Sequence, residues 1–214
     1  MFRTHSKIFI CLTLIALFTA TAYAKDPPEI IKQRIGKGDP VAGKEKSQLC
    51  QGCHGEDGNS VEPMIPKLAG QYSFYIAKEL RNFQSGERKH QIMSAMAATI
   101  SDADLADIAA YFASQDKMKG DGSGENAVGH ELVFNGDMSR GIQACMTCHG
   151  VNGKGITGGS TQFPVIGGQH KAYLREQLFN WRSSSRTNSP IMNKVAKLLT
   201  DEEIDAIGDY LNGK

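Results

Sequence analysis

Excess charge of either sign is missing from this chain of 214 residues, in which 24 lysines and arginines face 23 aspartates and glutamates. Without a strong field, neither nucleic acid nor an anionic membrane surface is an indicated partner. No sustained alternation of apolar and polar residues is present, so no strand pattern competes with a helical reading. Long apolar runs are also missing. The one candidate, Ile8 to Phe18, is short for a membrane span. Hydrophobic residues at 40% and charged residues at 22% are ordinary values, which excludes a fibrous or disordered chain. Cysteine is scarce, with five in all, and their placement carries most of the information.

The apolar run follows a basic opening, Arg3, His5 and Lys7, and leads into Ala22-Tyr23-Ala24. This is the pattern of a secretory signal, predicted to be cut after Ala24 and to leave Lys25 as the first mature residue. An uncleaved membrane anchor is the competing reading. Cys11 sits early in the run with more apolar sequence after it, so it does not read as a lipid-attachment site. The mature chain then has 22 basic residues, 23 acidic residues and four cysteines.

Four cysteines in an exported protein ordinarily suggest two disulfides. Here they occur as Cys50-Gln51-Gly52-Cys53-His54 and Cys145-Met146-Thr147-Cys148-His149. C-x-x-C-H is the attachment sequence of c-type haem. Cysteines at this spacing on one helical turn reach the two vinyl groups on one porphyrin edge, and the next residue brings its imidazole under the iron. A redox dithiol would not need the histidine. A zinc site would need two further ligands near each pair, and the other histidines do not repeat between the halves. Glycine follows both motifs, as Gly55 and Gly150. Cys50, Cys53, Cys145 and Cys148 are therefore predicted to hold two haem c groups, with His54 and His149 as iron ligands.

The two motifs belong to a duplication. The first cysteines are offset by 95 positions, Gln71–Tyr75 and Gln169–Tyr173 by 98, and Ile92-Met93 and Ile191-Met192 by 99. Ser101–Leu105 matches Thr200–Ile204 at the same last offset. The repeat selects the second iron ligand. The first copy offers Met64, Met93 and Met96, but after the second motif the only methionine is Met192, whose partner is Met93. Met96 pairs with Val195, which cannot ligate iron. Met93 and Met192 are the candidate distal ligands, while Met64, Met96 and Met146 read as flexible core filling.

Helical signals surround these sites. Asp39-Pro40 is predicted to open a helix running into Cys50. Residues 71–85 and 169–183 carry apolar stripes at helical spacing. Ser101 and Thr200 read as caps, with Asp104 and Glu203 placed to return the capping bond. Leu105, Ile108 and Phe112 then line one face, as do Ile204, Ile207 and Leu211. The stretch Lys117 to Val128, with Gly120, Gly122 and Gly124, reads as a flexible surface linker. The predicted organisation is a signal over 1–24, a first domain over 25–119 with an extension at 25–38, a linker over 120–128 and a second domain over 129–214. Each domain is small for an ordinary core, a deficit that a large apolar haem fills.

With two C-x-x-C-H motifs, paired methionines, and Pro66 to Gln71 matching Pro164 to Gln169, the chain resembles the dihaem cytochrome c4 family from about Gly38 to its end. The resemblance implies an all-α fold of two tandem class I cytochrome c domains related by a pseudo-twofold. It implies His54 with Met93 on one iron, His149 with Met192 on the other, and proline carbonyls orienting the imidazoles. It also implies a periplasmic carrier of single electrons between a quinol-oxidising complex and a terminal oxidase, without an open catalytic site, and leaves peripheral membrane association open. The alternatives are the cytochrome subunit of a larger enzyme, such as a flavocytochrome sulfide dehydrogenase, and a dihaem peroxidase. The matched methionines argue against the peroxidase. Charge is not polarised between the copies: residues 25–120 hold 13 basic and 13 acidic groups, and 121–214 hold 9 and 10.

Overall fold

The computed structural model describes residues 38–157 and 162–214. The signal segment, its cleavage point at Ala24, Cys11 and nearly all of the extension at 25–38 lie outside the described residues. Within them the chain is helical, with no β-strand and one isolated bridge between Asp137 and Ile142. No described helix is long and apolar enough to cross a membrane.

The first copy runs α1 (Pro40–Lys46), α2 (Gln48–His54), α3 (Ser73–Ser85), α4 (Gln91–Ala98) and α5 (Asp102–Ser114). The second repeats this as α6 (Ala127–Phe134), α7 (Met146–His149), α8 (Lys171–Arg182), α9 (Pro190–Ala196) and α10 (Asp201–Asn212). Asp39 caps α1 through its carboxylate, which accepts from Val41 N at 2.8 Å, with Pro40 in the first turn. The single helix expected from Asp39 to the first cysteine is broken at Ser47 (φ −91°, ψ 7°). The Ser47 hydroxyl donates to Lys44 O at 3.1 Å, a local bond that competes with straight helix continuation.

Each copy closes on a crossing of its first and last helices, α1 on α5 and α6 on α10. The crossing is so close that a Cβ on Gly43 would stand 2.0 Å from Asp107 O, and one on Gly129 would stand 2.0 Å from Ala206 O. Only glycine permits this approach. Inside each copy a separate core forms. Ile76, Leu80 and Phe83 of α3 pack with Leu105, Ile108 and Phe112 of α5. Leu174, Leu178 and Trp181 of α8 pack with Ile204, Ile207 and Leu211 of α10.

The two closing helices are capped differently. At Thr200 the box is complete, with Glu203 Oε2 accepting from Thr200 N at 2.9 Å. At Ser101 the shorter Asp104 carboxylate instead accepts from the Ser101 hydroxyl at 2.6 Å. The one missing methylene explains the change of partner.

The stretch read as a flexible linker is a correction. Met118 is fully buried with Ala69 and Val165, forming a small core that joins the copies. Lys154 Nζ donates to Met118 O, Gly167 O and Lys214 O at 2.8, 3.0 and 2.9 Å, and Gly120 N donates to Lys214 O at 2.6 Å. Ala127 and Val128, assigned to the linker, are instead the first turn of α6, capped by Asn126. Glycine-rich composition lowers the cost of bending, but here the backbone polar groups find fixed partners.

Candidate haem sites

The histidines of both motifs end a helix and are buried, at 7% and 8% exposure. Gly55 (φ 87°) and Gly150 (φ 79°) follow them in backbone conformations that a side chain would strain, which turns the chain away at once. His54 Nδ1 donates to Pro66 O at 2.8 Å, and His149 Nδ1 donates to Pro164 O at 2.8 Å. The carbonyl fixes the tautomer and leaves Nε2 as the free lone pair. Burial pushes both histidines below their ordinary pKa, only partly opposed by the carbonyl bond, so the imidazoles are neutral at neutral pH. Neutral imidazole is the form that binds a metal.

No disulfide joins Cys50, Cys53, Cys145 or Cys148, so each sulfur is available for attachment to a porphyrin. Burial raises the Cys50 pKa and pushes that of Cys145 up to about 11. Met93 and Met192 occupy equivalent places, the third residue of α4 and of α9. The backbone N–H of each donates to its cap, Met93 to His90 Nδ1 at 3.3 Å and Met192 to Ser189 Oγ at 3.4 Å. Both pack against the core of their own copy. Met96 and Val195 are half-buried nearby. Met64, read as core filling, is 52% exposed and is not core.

All four thiols, both histidines and both methionines line one cavity of about 1930 Å³. A pocket for one drug-sized molecule is about 300–1,000 Å³, so the space is of the size needed for two large groups. Two side chains on its wall have buried donors without an acceptor among the described residues: Trp181 at Nε1, and Arg81 at Nε and Nη2. Such groups are costly unless an acceptor on a bound molecule meets them, and the carboxylates of haem supply one. Among the described residues no cluster of three His, Cys, Asp or Glu could hold a bare metal ion. The residues present fit porphyrin-bound iron.

A polar cluster that the sequence did not reveal stands in the same wall. Glu79, 5% exposed, accepts through Oε2 from Arg88 Nη1 at 2.7 Å and from Arg186 Nη2 at 2.8 Å. Lys78 donates to its other oxygen. Burial alone would raise the Glu79 pKa, but Arg186, Arg88 and Lys78 outweigh it and hold the carboxyl at about 2. Arg88 and Arg186 also meet at Gln177 Oε1, at 3.0 and 2.7 Å. Gln177 occupies the position in the second copy that Glu79 holds in the first, so one carboxylate serves two arginines.

The copies grip each other reciprocally. Gln71 Nε2 donates to Val165 O and Gln71 Oε1 accepts from Val165 N, both at 2.9 Å. Gln169 Nε2 donates to Lys67 O and Gln169 Oε1 accepts from Lys67 N, again both at 2.9 Å. An exchange in which each partner repeats the other's contact is the mark of a twofold relation.

The Cytochrome c family model matches residues 40–116 and 139–213. A cytochrome c4 of Pseudomonas aeruginosa is 38% identical over 97% of this chain and 98% of its own. A protein of Stutzerimonas stutzeri named thiosulfate dehydrogenase electron acceptor is 32% identical over 91% of this chain and 88% of its own. The crystal structure of reduced recombinant cytochrome c4 from Pseudomonas stutzeri superposes with a TM-score of 0.76 at 39% identity, over 82% of this chain and 98% of that one.

Proposed function

The chain belongs to the cytochrome c family, within it to the dihaem cytochrome c4 proteins, and on that premise we propose that it is a periplasmic carrier of single electrons. Its cofactors are two covalently bound haem c groups. When bound, haem iron alternates between ferrous and ferric states and stores one electron per copy.

Cys50 and Cys53 would hold one porphyrin through thioether bonds, and Cys145 and Cys148 the other. His54 with Met93 would hold one iron, and His149 with Met192 the other. The observation that carries the reading is the repeated constellation, a buried histidine braced by a proline carbonyl and a methionine in the first turn of a later helix, present twice around one cavity. The uncharged thioether of a methionine and a neutral imidazole, held to the same iron, would favour its ferrous state. With a histidine and a methionine of the chain holding each iron, no position would be left for a substrate, and the protein would carry electrons rather than catalyse a reaction.

The proposed route runs from a quinol-oxidising complex to a terminal oxidase. The likeness to the thiosulfate dehydrogenase electron acceptor supports a second donor, a thiosulfate dehydrogenase. The test is stopped-flow oxidation of the reduced native protein by oxidase-containing membranes, with reduction assayed against each donor. Two one-electron oxidations without uptake of carbon monoxide by the ferrous protein are expected. Ready carbon monoxide binding at neutral pH, or a tightly copurifying flavoprotein, would overturn the free-carrier reading.

A further inference from the structure

We infer that each copy tunes the iron of the other through its interface glutamine. Pro66 C=O and Lys67 N–H belong to a single peptide group. Its oxygen accepts from His54 Nδ1 at 2.8 Å, while its N–H donates to Gln169 Oε1 of the second copy at 2.9 Å. The mirror arrangement holds in the other direction. Pro164 C=O accepts from His149 Nδ1 at 2.8 Å, and Val165 N–H of the same peptide donates to Gln71 Oε1 of the first copy at 2.9 Å.

The amide orientations are determined. Each glutamine nitrogen donates to the next carbonyl, Lys67 O or Val165 O, so the oxygen must face the peptide N–H. A second donor holds each oxygen in place: His170 N to Gln169 and Tyr72 N to Gln71, both at 3.1 Å. Both glutamines are 4% exposed, so the chains of bonds run in a low-dielectric interior. There, successive hydrogen bonds polarise one another by roughly 10–30% per bond. A peptide whose N–H is engaged presents a more negative carbonyl, which draws the imidazole proton more strongly and makes the ring a better electron donor. Electron donation favours ferric iron and lowers the potential. Gln169 therefore acts on the haem held by His54, and Gln71 on the haem held by His149. Both are positioning residues, acting through one peptide each.

The inference rests on the ligand assignment above, and its test separates the two. Holoprotein carrying Gln169→Met or Gln71→Met, an apolar side chain of similar length, is titrated while the paramagnetically shifted proton signals of each haem are followed. Amide hydrogen exchange is measured at Lys67 and Val165. Gln169→Met is expected to raise the potential of the His54 haem alone and to speed exchange at Lys67. Gln71→Met is expected to raise the potential of the His149 haem alone and to speed exchange at Val165. Either variant decides by itself, since the information lies in which haem moves. A shift in the haem of the mutated copy, equal shifts in both haems, or faster exchange without any shift would overturn the inference and leave the glutamines as interface clamps. An error in the ligand assignment would show instead in His54→Ala, which would keep both haem spectra intact.

Discussion

Arg186 of the second copy donates to Glu79 of the first at 2.8 Å, with side chains 5% and 7% exposed. Arg88 reaches the same oxygen, so a single carboxylate offsets two buried guanidinium groups at the junction of the copies. Breaking a buried pair by removing one partner costs about 3–5 kcal/mol, because the remaining charge is left uncompensated. Glu79→Gln is expected to lose stability of that order in denaturant unfolding of the holoprotein.

The same pair makes stability depend on acid in a defined window. The Glu79 carboxyl lies at about 2 in the fold against an ordinary 4.5. A depressed value means the contribution is fully present above about 4.5 and is lost as pH falls toward 2. The wild type should therefore lose more stability than Glu79→Gln between pH 4.5 and 2. Parallel pH profiles for the two proteins would refute this.

The glycine crossings predict a matched pair of lesions. Gly43→Ala and Gly129→Ala each place a methyl group 2.0 Å from a backbone oxygen of the opposing helix. Overpacking of this kind costs about 1–3 kcal/mol, and the melting temperature of each variant should fall while haem content stays at two per chain. Unchanged melting would show that the helices separate freely.

Much of this arrangement was legible in the sequence because it is local or repeated. C-x-x-C-H marks haem attachment within five residues, the caps at Asp39, Ser101 and Thr200 lie within three residues of their partners, and duplication paired Met93 with Met192 across 99 positions. What was not legible depends on contacts between copies. Arg186 stands in a serine-rich stretch that looks solvated, and Glu79 looks like an ordinary charged helix position, yet the interface buries both. Gln71 and Gln169 were visible only as matched letters, because a side-chain amide closing on a peptide of the other copy leaves no local pattern. Met118 was hidden for the same reason: its glycine-rich surroundings suggested mobility, while the core that buries it comes from both copies.

Four thioether bonds and no disulfide are expected in the mature protein. The denatured chain should retain two haems by mass and begin at Lys25 when isolated from its native host. An apo mass lower by the hydrogens of two disulfides would refute the attachment assignment, and an intact Met1 would refute cleavage at Ala24.

The most direct test of the axial assignment compares Met93→Ala with Met96→Ala in the weak far-red absorption of methionine-ligated ferric haem. Met93→Ala should lose one haem's share of that band, lower one potential and admit carbon monoxide to one ferrous iron. Met96→Ala should keep the band and both potentials, losing only packing, about 2 kcal/mol for a half-buried side chain at the lower end of such truncations. Loss of the band in Met96→Ala, with Met93→Ala unchanged, would contradict the pairing of Met93 with Met192 on which the two-site account rests.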